Sequence, residues 1–433
     1  MSVLNTLAQP FSPAGFPHFH YDQGQLLAEG SKLAEIAQQV GTPCYVYSKA
    51  AITQAWQAYQ DAIGTRRVLV CYGMKANSNL SILNTFRALG SGFDIVSGGE
   101  LARVLKVGAD PKKIVFSGVG KQTWEIEHAI KVGVKCFNVE SASELKRISQ
   151  VASALKATAT ISLRVNPDVD AQTHPYISTG LKENKFGIAI EDALQTYQLA
   201  ATLPGLQVVG VDCHIGSQIT ETAPYLDALD KLLALIDTLK ENGIALKHLD
   251  LGGGLGIRYD DETPLAPSLL LSAIFTVIDQ RGYSDLELVF EPGRSLVGNA
   301  GVLLTTVQYL KHTEARNFAI IDAGMNDLIR PALYQAWHGV LPLDLPKAEL
   351  ATHHYDLVGP VCESADWLAK QRLLDLHEDQ VLALDSAGAY GFVMACNYNT
   401  RGRPAEVLVD GSTWHIIRTR ETFEDMIRGE SLP

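Results

Sequence analysis

The sequence has no hydrophobic run long enough to cross a membrane. Its apolar stretches all fall short of the roughly 18 residues that a membrane-spanning helix needs. The first residues, MSVLNTLAQPFSPAGF, also lack the basic segment and the long apolar core of a secretory signal. These absences exclude an integral membrane protein, and we expect a cytoplasmic protein with no membrane partner.

Cysteine is scarce, and the cysteines are not paired along the chain. Six of them are spread over 433 residues without a recurring spacing, which indicates reduced thiols and not a disulfide framework. An excess of positive charge is also missing, since the formal net charge is -12. Because phosphate contacts need a basic surface, we expect no nucleic-acid partner.

Metal-binding spacing is missing as well. The histidine pairs His18 with His20 and His353 with His354 have no companion ligands at the spacing that metal sites show. We therefore expect no bound metal.

Eight short apolar runs recur along the first two-thirds of the chain. They are residues 68–76, 93–99, 114–120, 136–141, 160–166, 208–216, 248–254 and 287–293. Stretches with helical spacing lie between them, for example residues 101–107 and 225–239. Eight strands that alternate with helices predict an α/β fold, a (β/α)8 barrel of the TIM type.

The pattern changes after Arg294, where short β-rich segments follow one another with few long helical intervals. These segments are residues 302–310, 318–322, 380–384, 406–409 and 414–417. They predict a C-terminal antiparallel sheet or small β-barrel, and residues 43–48 form a further strand that we expect to pair with it. We therefore predict a barrel domain over residues 46–295 and a discontinuous β-domain made of residues 1–45 and 296–433.

Residues able to do chemistry stand at the ends of the predicted barrel strands. They are Lys75, Asp94, Glu140, Arg164, His214, a glycine run at residues 252–256 and Glu291 before Pro-Gly-Arg. The carboxyl ends of the strands carry the active site in this fold. The loop at residues 174–187 follows the fifth strand, is long and polar, and is predicted to be a mobile cover, with a surface excursion as the alternative.

Lys75 and the glycine run each have a functional and a plainer interpretation. A lysine with apolar neighbours is less favoured in its charged form, which makes the amine a nucleophile. A solvated charge is the alternative. Glycines let backbone N–H groups converge on a phosphate, and the loops after strands seven and eight often bind one. A tight turn is the alternative.

Glu291 must be paired or hydrogen-bonded if it points into the barrel mouth. It could pair with Arg164 or Arg294, or it could keep the nitrogen of a pyridine ring protonated, with His214 stacked on that ring. A hydrolase that uses Asp250 and Glu291 is a further alternative, but it leaves Lys75 without a role.

These residues lie in motifs that occur in the same order in a known family. The motifs are Tyr-Gly-Met-Lys-Ala-Asn, His-Ile-Gly-Ser-Gln, Gly-Gly-Gly-Leu-Gly, Glu-Pro-Gly-Arg, Gly-Pro-Val-Cys-Glu-Ser-Ala-Asp and Gly-Ala-Tyr. Over nearly its whole length the sequence resembles the pyridoxal-phosphate-dependent decarboxylases of fold type III, which share the alanine-racemase-like architecture of a barrel and a β-domain.

The resemblance implies how the chain would hold pyridoxal 5'-phosphate. Lys75 forms the covalent imine link to the cofactor, His214 stacks on its ring, and Glu291 pairs with the ring nitrogen. The other residues expected to bind the cofactor are Asp94, Ser217, Gly254, Gly293, Arg294 and Tyr390.

The resemblance also implies how the substrate would be held. The residues expected to contact it are Arg294, Arg330, Tyr334, Glu363 and Tyr390. The arginines and Tyr334 hold a distal carboxylate and Glu363 a distal ammonium, while Cys362 returns a proton to the α-carbon. The implied assembly is a head-to-tail homodimer in which Cys362 and Glu363 enter the partner's active site.

The implied substrate carries both charges at its far end, because arginine forks suit a carboxylate and an acidic side chain suits an ammonium. The expected reaction is decarboxylation of meso-2,6-diaminopimelate to L-lysine, the last step of lysine biosynthesis. Decarboxylation of a basic D-amino acid, D-lysine or D-ornithine, is the alternative. A racemase is less favoured because Glu291 makes the ring a strong electron sink. A non-catalytic carrier would leave Cys362 without a purpose.

Overall fold

A computed structural model describes residues 18–170, 185–345 and 353–433. The chain forms two compact units: the barrel unit, residues 56–257 and 263–295, and the sheet unit, which takes the described residues up to 55, residues 258–262 and those from 296 on. The domain boundaries drawn from sequence at residues 46 and 295 stay a prediction. The predicted cover at residues 174–187 lies outside the described residues, except for its last three positions.

The barrel unit is a closed parallel barrel of eight strands, which confirms the predicted fold class. Its strands are Val68–Gly73, Gly92–Ile95, Ile114–Phe116, Cys136–Val139, Ala159–Asn166, Leu206–Asp212, His248–Asp250 and Glu287–Phe290. Each strand pairs with the next, and the eighth closes on the first with Leu288 opposite Val68. A short additional strand, Ile188–Ala189, pairs with the fifth.

The strands are apolar because both of their faces are covered. One buried cluster draws on five different strands and therefore lies inside the barrel: Cys71, Val115, Cys136, Val209 and Val289. The helices of the barrel are Leu80–Ala88, Gly98–Lys106, Thr123–Val132, Ala142–Ala154, Ile190–Thr202, Ala223–Glu241 and Pro267–Gln280, and Lys49–Ile63 precedes the first strand. Serines cap two of the helices directly after a strand: Ser97 accepts a hydrogen bond from the Glu100 N–H and Ser141 from the Glu144 N–H.

The sheet unit contains a sheet of nine strands and a small N-terminal sheet. The nine strands are Cys44–Ser48, Gly301–His312, Asn317–Ile321, Val340–Pro342, His353–Val358, Trp367–Leu374, Val381–Leu384, Ala405–Asp410 and Thr413–Arg418. The small sheet is Phe19–Asp22, Gln25–Ala28 and Ser31–Lys32, and the short helices are Leu33–Val40, Arg294–Val297, Arg330–Tyr334 and Phe423–Ile427. Among the described helices, none is both long and apolar enough to span a bilayer.

The nine-stranded sheet is mixed, whereas the sequence predicts an antiparallel sheet or a small β-barrel. Cys44–Ser48 pairs antiparallel with Gly301–His312. This confirms the expected pairing of residues 43–48 with the C-terminal sheet. Cys44–Ser48 also pairs in parallel with Ala405–Asp410. Strands this far apart in the chain are not joined by a tight turn, so their direction is not restricted to antiparallel.

Candidate active site

Lys75 and Asp94 meet at the carboxyl ends of the first two barrel strands. Lys75 lies in the single 3-10 turn Met74–Ala76, which directly follows the first strand. Its Nζ is 3.3 Å from Oδ2 of Asp94, whose side chain is fully buried. The surroundings of Lys75 are therefore not purely apolar, because the lysine is 42% exposed and has an ionic partner.

Glu291 directly follows the eighth strand and is buried. Its Oε1 accepts a hydrogen bond from Nδ2 of Asn138 in the fourth strand, at 3.3 Å. The arginines considered as partners from sequence have other contacts. Arg164 forms a buried ion pair with Glu140 at 2.8 Å, and Nη2 of Arg294 donates to the hydroxyl of a serine.

Glu291 belongs to a cluster of three buried carboxyl groups at the strand ends. One oxygen from each of Asp212, Asp250 and Glu291 lies within 4.8 Å of the other two. Burial, together with the repulsion between these groups, raises the pKa of Glu291 and of Asp212 well above the ordinary range. Burial raises the pKa of Asp250 to about 7. The raised pKa values favour the protonated forms of these groups, which suits Glu291 to share a proton with a basic ring nitrogen.

The same cluster is the single group of close metal-ligand atoms in the part of the chain that the structure describes. Its chemistry suits a proton better than a cation, because a metal ligand must first be deprotonated.

His214 follows the sixth strand as a neutral imidazole. Burial, and then the positive charges of Lys75 and Arg164, lower the pKa of His214 well below its ordinary value. Its Nδ1 accepts a hydrogen bond from the N–H of Gly253 at 3.2 Å, which leaves the proton on Nε2. A neutral flat ring can stack on an aromatic ligand without the cost of burying a charge.

The glycine run packs tightly against two strand ends. A Cβ on Gly252 would lie 2.5 Å from the carbonyl oxygen of Cys213, and one on Gly253 would lie 2.3 Å from that of Glu291. Gly252 also has a φ of +65°, which a side chain would strain. The run is therefore needed for close packing between the sixth and eighth strands, in addition to any turn that it makes.

Donors for a phosphate gather beside this run. Gly254 lies against Gly216, where a Cβ would stand 2.5 Å from the carbonyl oxygen. The next residue, Ser217, receives a 3.0 Å hydrogen bond from Nη2 of Arg294, which follows Gly293. A hydroxyl, a guanidinium and side-chain-free backbone at one rim are the groups that bind a phosphate.

The residues of the barrel unit fit pyridoxal phosphate. The amine of Lys75 follows the first strand, and the carboxyl of Glu291, whose pKa is raised, follows the adjacent eighth strand. The phosphate donors lie on the loops after strands six to eight. A buried acceptor is also available, since Oδ1 of Asp94 has no hydrogen-bond partner among the described residues.

The remaining predicted site residues belong to the sheet unit. They are Arg330, Tyr334, Cys362, Glu363 and Tyr390. Arg330 is buried at the start of the helix Arg330–Tyr334. Its Nη1 is 2.9 Å from Nε2 of His338, and its guanidinium carbon is 4.5 Å from the ring centroid of Tyr259. Tyr334 ends the same helix and is half-buried.

Cys362 and Glu363 sit on an exposed turn that is held by a buried carboxylate. Asp366 accepts a hydrogen bond from the N–H of Val361 at 2.7 Å, and its own N–H donates to the carbonyl of Glu363 at 3.0 Å. The side chain of Glu363 accepts a hydrogen bond from the hydroxyl of Tyr398. The turn therefore presents the thiol and the carboxylate away from the core of their own unit.

Tyr390 is half-buried and has an unusual backbone. Its φ is +57°, a conformation that costs energy for a residue other than glycine and that is frequent at functional sites. Gly388, two residues earlier, passes so close to Val297 that a Cβ would lie 1.9 Å from its carbonyl oxygen. The Gly-Ala-Tyr motif is thus tightly packed at its first residue and has a strained backbone at its last.

Sequence reasoning missed three residues that the structure places next to predicted ones. Asn138 donates to Glu291, Asp212 joins the carboxyl cluster, and His338 contacts Arg330. Strand alternation could have found Asn138, because it shares a face with Cys136. No local pattern distinguishes His338.

A barrel with an amine and a buried carboxyl of raised pKa at the ends of neighbouring strands, beside phosphate donors, fits the class of pyridoxal-phosphate-dependent decarboxylases. The family model for the pyridoxal binding domain of pyridoxal-dependent decarboxylases matches residues 49–298. Within this class, the chain belongs to the diaminopimelate decarboxylase family.

Relatives of known name support this assignment over nearly the whole chain. The sequence is 59% identical to a diaminopimelate decarboxylase from Pseudomonas aeruginosa, over 96% of this chain and 99% of that protein. It is 56% identical to the one from Vibrio cholerae, over 96% and 99%. The crystal structure of diaminopimelate decarboxylase from Helicobacter pylori complexed with L-lysine has a TM-score of 0.87 and 42% identity, and covers 91% of this chain and 98% of that one.

Proposed function

We propose that this protein decarboxylates meso-2,6-diaminopimelate to L-lysine, the last step of lysine biosynthesis, with pyridoxal 5'-phosphate as its cofactor. The observation that carries the proposal is the buried carboxyl of Glu291, whose pKa is raised, on the strand next to the one that leads to Lys75. Membership of the diaminopimelate decarboxylase family supports the substrate.

The cofactor, when bound, supplies an electron-withdrawing ring that accepts the electron pair left behind by carbon dioxide. The residues of the barrel unit prepare the site for this chemistry. Lys75 would hold the cofactor through its amine, and Asp94 would stabilise the ammonium form of Lys75 once the substrate amine has replaced it. Glu291 would hold a proton at the ring nitrogen, and His214 would cover the ring and exclude water.

Ser217, Arg294 and the backbone of Gly254 and Gly293 bind the phosphate. Tyr390 is proposed to contact the phosphate and the substrate.

The residues of the sheet unit are proposed to bind the far end of the substrate and to select it. Arg330, together with Tyr334 and Arg294, holds the distal carboxylate, and Glu363 binds the distal ammonium. Cys362 donates the proton that replaces carbon dioxide at the α-carbon. A substrate without the distal carboxylate cannot form this ion pair with Arg330, which weakens its binding.

The substrate proposal is tested by the release of carbon dioxide from meso-diaminopimelate and from both enantiomers of lysine and ornithine. We expect meso-diaminopimelate to be the preferred substrate. In Arg330→Ala, the KM for it rises by about 10- to 100-fold, as the loss of a hydrogen-bonded charge pair predicts. Arg316→Ala, which removes an exposed arginine of the same unit, is the control. Turnover of D-lysine or D-ornithine without turnover of meso-diaminopimelate would overturn the substrate.

We also propose a homodimer with shared active sites and a cytoplasmic location. An exposed thiol such as Cys362 needs another surface to cover it before it can deliver a proton to a water-free site, and a second copy of the chain supplies that surface. All six cysteines are free thiols, as a reducing compartment requires.

Mixing two inactive variants tests the shared site. In a hybrid of a Lys75→Ala chain and a Cys362→Ala chain, one of the two sites contains neither substitution. After subunit exchange, an equal mixture should recover about one quarter of the wild-type activity, because half of the dimers are hybrids with one intact site. If the mixture stays inactive although sedimentation shows that hybrids form, the sites are not shared.

A further inference from the structure

His338 is a fully buried histidine whose two ring nitrogens both have partners. Its Nε2 is 2.9 Å from Nη1 of Arg330, and its Nδ1 is 2.7 Å from the carbonyl oxygen of Asp385. A guanidinium can only donate and a carbonyl can only accept. The two contacts therefore assign one form of the ring, a neutral imidazole with its proton on Nδ1 and an acceptor at Nε2.

The backbone on either side holds this ring in place. The N–H of Gly339 donates to Oδ1 of Asp385 at 2.9 Å, so Asp385 holds the segment at two points. Nη2 of Arg372 donates to the carbonyl of His338 at 2.9 Å. The imidazole thus has a fixed orientation, and so does the acceptor that it offers.

Tyr259 contacts both members of the pair. Its ring lies under the guanidinium of Arg330, with 4.5 Å between the guanidinium carbon and the ring centroid. The rings of Tyr259 and His338 meet edge to face, with their centroids 5.7 Å apart and an interplanar angle of 82°. The cation–π contact restrains the plane of the guanidinium, and the imidazole restrains its rotation within that plane.

Both of these partners are uncharged, and this matters for an arginine that has to bind an anion. A carboxylate in the place of His338 would hold Arg330 as firmly, but it would also cancel most of its charge. A neutral imidazole accepts one N–H and does not itself cancel the positive charge. Its burial also prevents water from competing for that N–H.

We propose that His338 is a positioning residue for substrate selection, which orients Arg330 toward the carboxylate at the far end of the substrate without itself cancelling the charge of Arg330. The inference rests on the proposed function, since it takes Arg330 as the group that binds this carboxylate. It adds that His338, which is not itself proposed to bind the substrate, determines how strongly the site prefers a ligand with this carboxylate over a ligand without it.

The test compares two ligands on the holoenzyme. L-Lysine carries the carboxylate in question, and 1,5-diaminopentane is the same molecule without it. His338→Phe keeps a ring but removes the acceptor, and His338→Gln keeps an acceptor. We expect His338→Phe to weaken inhibition by L-lysine by about 10-fold or more, with 1,5-diaminopentane unaffected. The KM for meso-diaminopimelate rises in parallel while kcat changes little, and His338→Gln restores most of the loss.

Arg330→Ala separates this inference from the proposed function. If Arg330→Ala loses the preference for L-lysine but His338→Phe keeps it, the role of His338 is wrong and that of Arg330 stands. If Arg330→Ala keeps the preference, the assignment of the distal carboxylate to Arg330 is wrong. Equal weakening of both ligands in His338→Phe also overturns the inference, since it indicates a general loss of packing.

Should His338→Phe fail to fold, as judged by cofactor absorbance and thermal melting, His338→Asn takes its place. Its amide can still donate to the carbonyl of Asp385, but it does not reach Arg330. The same outcomes then decide the question.

Discussion

Replacement of Lys75 by alanine is expected to reduce decarboxylation of meso-diaminopimelate by on the order of 10⁴-fold, because the amine of Lys75 is the group that we propose to hold the cofactor and to exchange it for the substrate amine. Lys75→Arg should lose as much. An arginine keeps the positive partner of the buried Asp94, but it stays protonated and is not a nucleophile. Carbon dioxide release and borohydride labelling of the cofactor-bearing peptide measure both effects.

Lys135→Ala is the matched control for this prediction. Lys135 is paired with Glu287 at 2.7 Å at the amino ends of the barrel strands, opposite to the rim that carries the site. Its replacement removes the same charge from the same unit and should leave both the activity and the labelled peptide unchanged. A labelled peptide that does not contain residue 75 would show that the cofactor is attached elsewhere.

Replacement of Glu291 by glutamine is expected to lower kcat by about 10²- to 10³-fold, the usual cost of one preorganised electrostatic contact at a reacting group. An amide has nearly the same shape as the carboxylate, but it cannot hold a proton on the ring nitrogen. The ring is then a weaker electron sink when carbon dioxide leaves. The rate and the absorption spectrum of the bound cofactor report the change.

Asp250→Asn separates the role of Glu291 from that of the carboxyl cluster. Because the pKa of Asp250 is raised to about 7, about half of this group is already neutral at neutral pH, and an amide imitates the neutral form. We expect a much smaller loss of kcat than in Glu291→Gln. Equal losses in the two variants would mean that the ring nitrogen depends on the cluster as a whole.

The barrel could be predicted from sequence because its signal is local. A parallel strand covered on both faces is a short continuous apolar run. The run at residues 68–76 therefore contains the strand Val68–Gly73 and the turn Met74–Ala76 that carries Lys75. The mixed sheet could not be predicted in the same way. The parallel pairing of Cys44–Ser48 with Ala405–Asp410 joins segments about 360 residues apart. The residues of one strand do not specify whether its partner runs parallel or antiparallel.

Local sequence patterns also could not predict which side chains surround the reactive groups. Apolar neighbours along the chain suggested a desolvated Lys75, but the carboxylate of Asp94 on the next strand gives it an ionic partner. The sequence left an arginine or a pyridine nitrogen as the partner of Glu291, and the structure adds Asn138 and Asp250 as its neighbours. These contacts depend on which side chains the barrel turns inward at the same height, and that is set by the register between strands.

The amino-acid sequence by itself determined the class of fold, the order of the strands and which residue types stand at their ends. This was possible because apolar runs and the glycines that follow them are patterns of consecutive residues. The tertiary structure alone decided which charges face one another. It placed three buried carboxyls so close together that their pKa values are raised, and it set a neutral histidine against Arg330. The physical reason is that the electrostatic energy of a buried group depends on distances across the fold, which residues adjacent in the chain do not specify.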